Sequence, residues 1–109
     1  MYLQTVNSFE KIYEIVAKIP KGKVLTYKKV AEISGVKNAR VVGFAMHANK
    51  DFVKVPCHRV VGSNGKLTGY ARGGITEKGK ILKREGVKFL DSNTVDLEKS
   101  LYKFSKLSS

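Results

Sequence analysis

Scarcity is the first thing to read in this sequence. The chain has 109 residues with one cysteine, no tryptophan and nine acidic side chains. A lone cysteine excludes an internal disulfide and the small disulfide-stapled domain class. The expectation is a reducing, intracellular setting: cytoplasm or nucleoid, or the nucleus in a eukaryote. No apolar run approaches the roughly 20 residues of a membrane span. The opening "MYLQTVNSFEK" lacks the basic start and apolar block of a secretory signal. The length suits one small domain with one core. Against the few acids stand 21 Lys and Arg residues, for a net charge of +12. Such an excess attracts polyanions. Nucleic acid is the first partner it suggests and an anionic membrane the second. A lysine-rich surface that serves only solubility is the plain alternative.

No repeat, low-complexity segment or interdomain linker interrupts the chain. Asn7 before Ser8-Phe9-Glu10 reads as a capping box. Phe9, Ile12, Tyr13 and Val16 then follow helical spacing, and Pro20 and Gly22 end that helix. Lys23 to Leu25 reads as a short extended piece. Thr26 caps a second helix carrying Tyr27, Val30, Ala31 and Ile33, stopped by Gly35. Asn38 caps a third, Ala39 to Ala48. Two short helices joined by "SGVKN" have the proportions of a helix-turn-helix. In "RVVGSNGKLTGY", two β-prone runs flank Asn64-Gly65, a strong hairpin signal. A fourth helix in "GGITEKGKILKREG" turns Ile75, Ile81 and Leu82 inward and stops at Gly86. Asp96 caps a last one, with Leu97, Leu101 and Phe104 on one face, before Ser108-Ser109 fray. The fold class expected is mainly α with a small β-hairpin: a winged-helix-like domain containing a helix-turn-helix.

The stretch Val55-Pro56-Cys57-His58-Arg59-Val60-Val61 concentrates the chemistry. A thiolate, not a thiol, is the nucleophile, so an active Cys57 needs a base. His58 is adjacent, but neighbouring side chains of a strand point to opposite faces. Direct pairing therefore needs an irregular backbone or a bridging water. Pro56 helps by fixing its own φ and removing a backbone donor. The base needs an orienting carboxylate, for which Glu85 and Glu77 are candidates. Otherwise Cys57 is simply a small buried core residue. His58, His47 and one cysteine lack zinc-ligand spacing, so no metal is expected, and no cofactor.

"PCHRVV" resembles the active-site signature of the O6-alkylguanine-DNA alkyltransferases, also called methylated-DNA–protein-cysteine methyltransferases. "IPKGKVLTYKKVAEISG" is similar to that family's opening helix-turn segment and "NARVVGFAMHANK" to its recognition helix. "VPCHRVVGSNGKLTGYARGG" is similar to the active-site loop and the segment after it, and "ILKREGV" to the closing helix. These matches keep the family's order over residues 8–88. The segment from Tyr70 to Glu85 is one residue longer than the family's usual spacing.

The resemblance implies a protein that flips an O6-alkylated guanine out of double-stranded DNA and moves the alkyl group to its own cysteine. Cys57 is then the acceptor, and His58 its base through a water. Glu85 is the carboxylate that holds His58, and Tyr27 the donor to the leaving guanine. Arg40 is implied to fill the gap in the base stack. Ala39, Gly43 and Ala45 are implied to make one side of the third helix small enough for the minor groove. Asn49 is implied to brace the active-site loop. Tyr70 forms the pocket wall, and backbone near Cys57, Val60 and Ala71 reads the guanine edge. Arg59 ties the loop down, and His47 has no carried role.

On this expectation residues 1–109 form a single catalytic and DNA-binding domain acting as a monomer. Its core is 8–88 with a C-terminal extension over 89–109, and the N-terminal domain usual in the family is lacking. The extension also resembles the alkyltransferase-like proteins, which bind alkylated guanine without repairing it and pass it to excision-repair proteins. Their cysteine is replaced, whereas Cys57 is present here, which favours chemistry. A winged-helix regulator with a chance "PCHR" is the third reading.

Overall fold

The computed structural model describes residues 2–68 and 73–103. Among them the order is α1 (Tyr2–Ala17), β1 (Leu25–Thr26), α2 (Tyr27–Ser34), α3 (Ala39–Ala48), a 3-10 turn (Cys57–Arg59), β2 (Val60–Val61), α4 (Gly74–Arg84), β3 (Phe89–Asp91), β4 (Thr94–Val95) and α5 (Leu97–Ser100). The domain is mainly helical, with small sheets. No described helix is long and apolar enough to cross a membrane.

Local chemistry sets the helix-turn-helix. The Thr26 hydroxyl accepts the Lys29 N–H at 3.0 Å and starts α2. Gly35, at φ 78°, ends it in the left-handed conformation that a side chain disfavours. Asn38 then caps α3 by accepting the Arg40 N–H at 3.0 Å. α1 packs across both helices. Its Ile12 and Val16 join Val30, Ala31, Val42, Ala45 and Met46 in one apolar cluster.

The strands matter more than their length suggests. β1 pairs with β2 in parallel, Leu25 opposite Val60 and Thr26 opposite Val61. Successive strand residues face opposite ways. Leu25 and Val60 therefore enter the α1–α3 core, while Val24 and Val61 enter a second core with Leu67, Leu82, Val87 and Val95. The ribbon is the wall between the two. The 3-10 turn carrying Cys57 is its immediate lead-in, so the turn is fixed from both sides.

Several local expectations change. α1 is already helical at Tyr2, so Asn7 lies inside it and is not its cap. Among the described residues the Asn-Gly turn does not pair the two runs beside it as strands of a hairpin. Gly62 N–H donates to Lys66 O at 2.8 Å, after which Lys66 bridges to Thr94 and Leu67 N–H donates to Asn93 O. Among the described residues the antiparallel hairpin is β3–β4. Gly65 is required for packing, since a Cβ there would collide with the Val95 carbonyl oxygen and its φ is 88°. In α4, Leu82 is buried but Ile75 is exposed; the inward positions before Leu82 are Lys78 and Gly79. A side chain at Gly79 would press on Leu67. Asp96 caps α5 as expected, but the helix ends at Ser100 and Leu101 bridges to Val24; Phe104 lies outside the described residues.

Candidate active site

Pro56 sits at φ −76° and ψ 76°, with Cys57 N–H donating to Val55 O at 2.8 Å. That is an inverse γ-turn about a residue whose ring already fixes the needed φ. The chain then tightens into the 3-10 turn, where Arg59 N–H donates to Pro56 O at 2.9 Å. This irregular backbone frees Cys57 and His58 from strand alternation. Both are buried; Cys57, in the reduced form, is 5% exposed.

Three elements grip this segment. From the end of α3, Asn49 donates to Val55 O at 2.9 Å and accepts the Asp51 N–H at 3.0 Å. Val55 O thus receives both the Asn49 amide and the Cys57 N–H, which places Asn49 one acceptor away from the nucleophile's own backbone. From the end of α4, Glu85 Oε2 lies 3.0 Å from His58 Nε2. Arg59 donates to Glu85 Oε1 at 2.9 Å and Oε2 at 2.7 Å, and reaches Ile19 O beyond α1 at 2.7 Å. The longer spacing before Glu85 does not keep it from His58.

The electrostatics suit a neutral base beside a charged carboxylate. Burial lowers the His58 pKa below 6.5, against the opposing pull of Glu85. Burial alone would raise Glu85, but hydrogen bonds from Arg59 and His58 outweigh it and hold the carboxyl below its usual value. With Nε2 as donor to the carboxylate, the lone pair of the neutral ring lies on Nδ1. Glu77, the alternative carboxylate, is half-buried in the first turn of α4.

Lys78 is the functional candidate that sequence reasoning missed. It is 1% exposed, and its ammonium donates to Val60 O at 2.7 Å and lies 5.8 Å from the Tyr27 ring centroid. Burial pushes its pKa from 10.5 down to about 8, with charge on Cys57 acting in the opposite direction. The available signal was position: Lys78 is four residues before Leu82, on the helix face that must point inward. Val60 is fully buried, backbone included, and its carbonyl is engaged by Lys78. The half-buried Tyr27 hydroxyl is hydrogen-bonded to Thr68 Oγ1 at 2.8 Å. Burial raises its pKa.

On α3, Arg40 is exposed and Ala39 and Gly43 are half-exposed, with open space beside Gly43. Ala45 does not belong with them: it is 0% exposed, on the Val42–Met46 face that closes the core. Its methyl cannot form a DNA-facing surface. Tyr70 and Ala71 lie outside the described residues. Among the described residues no group of three or more His, Cys, Asp or Glu side chains is gathered to hold a metal.

Residues 7–87 match the family described as 6-O-methylguanine DNA methyltransferase, DNA binding domain. The chain belongs to that family. One methyltransferase relative, the methylated-DNA–protein-cysteine methyltransferase of Candida albicans, is 47% identical over 77 residues, covering 71% of this chain and 43% of that protein. The chain spans 35% to 52% of the length of the first curated relatives it matches. Among solved structures, S. pombe Atl1 in complex with damaged DNA containing O6-carboxymethylguanine superposes with a TM-score of 0.77 at 31% identity, over 89% of this chain and 95% of that one. Mycobacterium tuberculosis OGT in complex with DNA gives 0.66 at 40% identity, over 71% of this chain and 47% of that one. The methyltransferase-family likeness thus includes both Atl1 and OGT.

Proposed function

We propose that this domain repairs double-stranded DNA by taking the alkyl group from O6 of a flipped-out guanine onto Cys57, irreversibly and once per molecule. The observation that carries the reading is the buried Cys57 on a 3-10 turn whose next residue, His58, is hydrogen-bonded to Glu85 at 3.0 Å. His58 takes the thiol proton through a water. The thiolate attacks the alkyl carbon in line with O6; the S–C bond forms as the C–O6 bond breaks. Tyr27 donates to the guanine ring, so the base leaves neutral, carrying a hydrogen in place of the alkyl group. Charged Lys78 and the thiolate favour one another, and the ammonium holds the Val60 carbonyl in place. The thioether product has no good leaving group, which ends the reaction at one turnover.

The flipping and docking steps fall to α3. Arg40 enters the stack where the nucleotide has left, and Ala39 and Gly43 let the helix approach the minor groove. The net charge of +12 supplies most of the affinity through phosphate contacts.

A second reading is a non-catalytic sensor that binds the lesion and hands it to excision-repair proteins. Its support is the Atl1 superposition, which spans 89% of this chain and nearly all of that one. One experiment separates the two. The protein is incubated with a duplex containing one O6-methylguanine, and its intact mass is measured. Gain of one CH2 equivalent, lost in Cys57→Ser, is the expected result. Tight lesion binding with no mass gain would select the sensor.

A further inference from the structure

α3 turns two faces to two surroundings. Val42, Ala45 and Met46 close the core. On the other side Arg40, Phe44 and His47 are all exposed, at the i, i+4, i+7 spacing of one helical stripe. Phe44 is 60% exposed and is a member of neither buried core cluster. Lys37 and Lys50, also exposed, flank the helix, and no acidic residue occurs between Glu32 and Asp51. A bare aromatic ring on an acid-free basic surface suits a polyanion that offers apolar faces between its charges. DNA has this make-up: phosphates for the cations, deoxyribose and base faces for the ring. A second copy of the chain would bring its own +12 to the same surface and be repelled.

We infer that Phe44 is an apolar wedge of the DNA-binding face, lodging its ring in the minor groove against a base step beside the nucleotide that Arg40 displaces. The inference rests on the DNA-repair reading above and adds a second unstacking group to it. An α-helix rises about 1.5 Å per residue, so the two side chains lie about 6 Å apart along α3. That is nearly two base-pair steps of about 3.4 Å. The arginine fills the gap, and the ring holds open the neighbouring step.

Wild type, Phe44→Ala, Phe44→Leu and Lys50→Ala are titrated into a duplex containing one O6-methylguanine over a range of salt concentrations. A parallel duplex carries 2-aminopurine beside the lesion to report unstacking. Phe44→Ala should weaken binding roughly tenfold at every salt concentration, the loss expected of one base–aromatic contact. It should also reduce the 2-aminopurine signal, and leave the slope of log affinity against log salt unchanged. Phe44→Leu should recover part of both. Lys50→Ala should instead flatten the slope by about 0.9, the mark of one phosphate contact. Because Phe44 is exposed, the Ala variant should melt no lower than wild type, which keeps lost binding distinct from lost fold. Wild-type affinity and unstacking in Phe44→Ala would overturn the inference, as would a wild-type dimer that this substitution dissociates without affecting DNA binding. A wild-type protein that bound no duplex would overturn the functional reading itself, before any substitution is compared.

Discussion

Replacing Lys78 by methionine should change how stability depends on pH, and the size of the change can be worked from the site. Burial takes the lysine pKa from 10.5 to about 8. At about 1.4 kcal/mol per pH unit, keeping the ammonium in this position costs the fold about 3 kcal/mol below pH 8. The folded value lies below the unfolded one, so the unfolded chain holds its proton to higher pH. Stability therefore rises with pH between about 8 and 10.5, and the penalty is complete below that window. Methionine fills similar space and has no such dependence. Against this relief stands the Val60 carbonyl, which loses the donor now at 2.7 Å; an unmet buried acceptor costs about 1–3 kcal/mol. The two nearly cancel near neutral pH.

The measurable signature is the difference between the proteins. Urea unfolding at pH 7.5, 8.5 and 9.5 should show wild type gaining about 2 kcal/mol on Lys78→Met across that range. Making both proteins in a Cys57→Ser background removes the thiol's own titration. Parallel pH dependence of the two would refute a buried, destabilised cation at this position. Alkyl transfer by Lys78→Met with Cys57 intact should slow, about tenfold for each 1.4 kcal/mol of lost support to the thiolate.

Arg59→Met should cost about 3 kcal/mol in chemical denaturation: among the described residues it removes the only guanidinium on the Glu85 carboxylate, whose side chain is 13% exposed, and leaves it His58 as hydrogen-bond partner. Arg59→Lys should recover little, since a lysine cannot serve both Glu85 oxygens and Ile19 O in the same fork geometry. Glu85→Gln should lose the part of acid stability that this carboxyl provides. Its folded pKa lies below the usual value, so its contribution is present above the ordinary carboxylate range and lost as pH falls through the folded value. Unfolding midpoints of wild type and variant should therefore converge on acidification and separate toward neutrality. Gly65→Ala should lower stability by more than about 1–3 kcal/mol, because strain at φ 88° adds to the collision with Val95; a neutral substitution would refute the close approach of β4.

What the sequence disclosed depended on the range of the forces involved. Thr26, Gly35 and Asn38 were legible because capping is settled within a few residues of backbone. The contact between His58 and Glu85, 27 positions apart, is not a local property; scarcity of acids narrowed the candidates and family resemblance picked one. The Asn-Gly turn misled because its glycine meets a tertiary demand, room for β4, rather than the hairpin demand that the same dipeptide serves elsewhere. Ala45 was misplaced for a related reason. Residue size suggested a groove-facing side, but the i, i+3, i+4 stripe of Val42, Ala45 and Met46 decides which side is buried. Lys78 escaped because lysine is read as surface by default. Only its register with Leu82 indicated otherwise.

That register bears on the choice between repair and sensing. Arg59, Glu85 and Asn49 would be equally useful in either, since a lesion-binding pocket and a reacting one both need a fixed loop. Lys78 is different. An apolar side chain of the same length would fill its place without carrying a charge out of water. A protein that merely bound guanine could hold the Val60 carbonyl with a neutral donor and forgo a penalty of about 3 kcal/mol. Local destabilisation of this kind persists where the chemistry requires it. The Lys78 ammonium already serves the Val60 carbonyl, and its charge would in addition favour an anion on Cys57. Comparing alkyl transfer with lesion binding in Lys78→Met therefore bears on that choice: slowed transfer with binding intact assigns the ammonium to the thiolate, and equal loss of both assigns it to the loop.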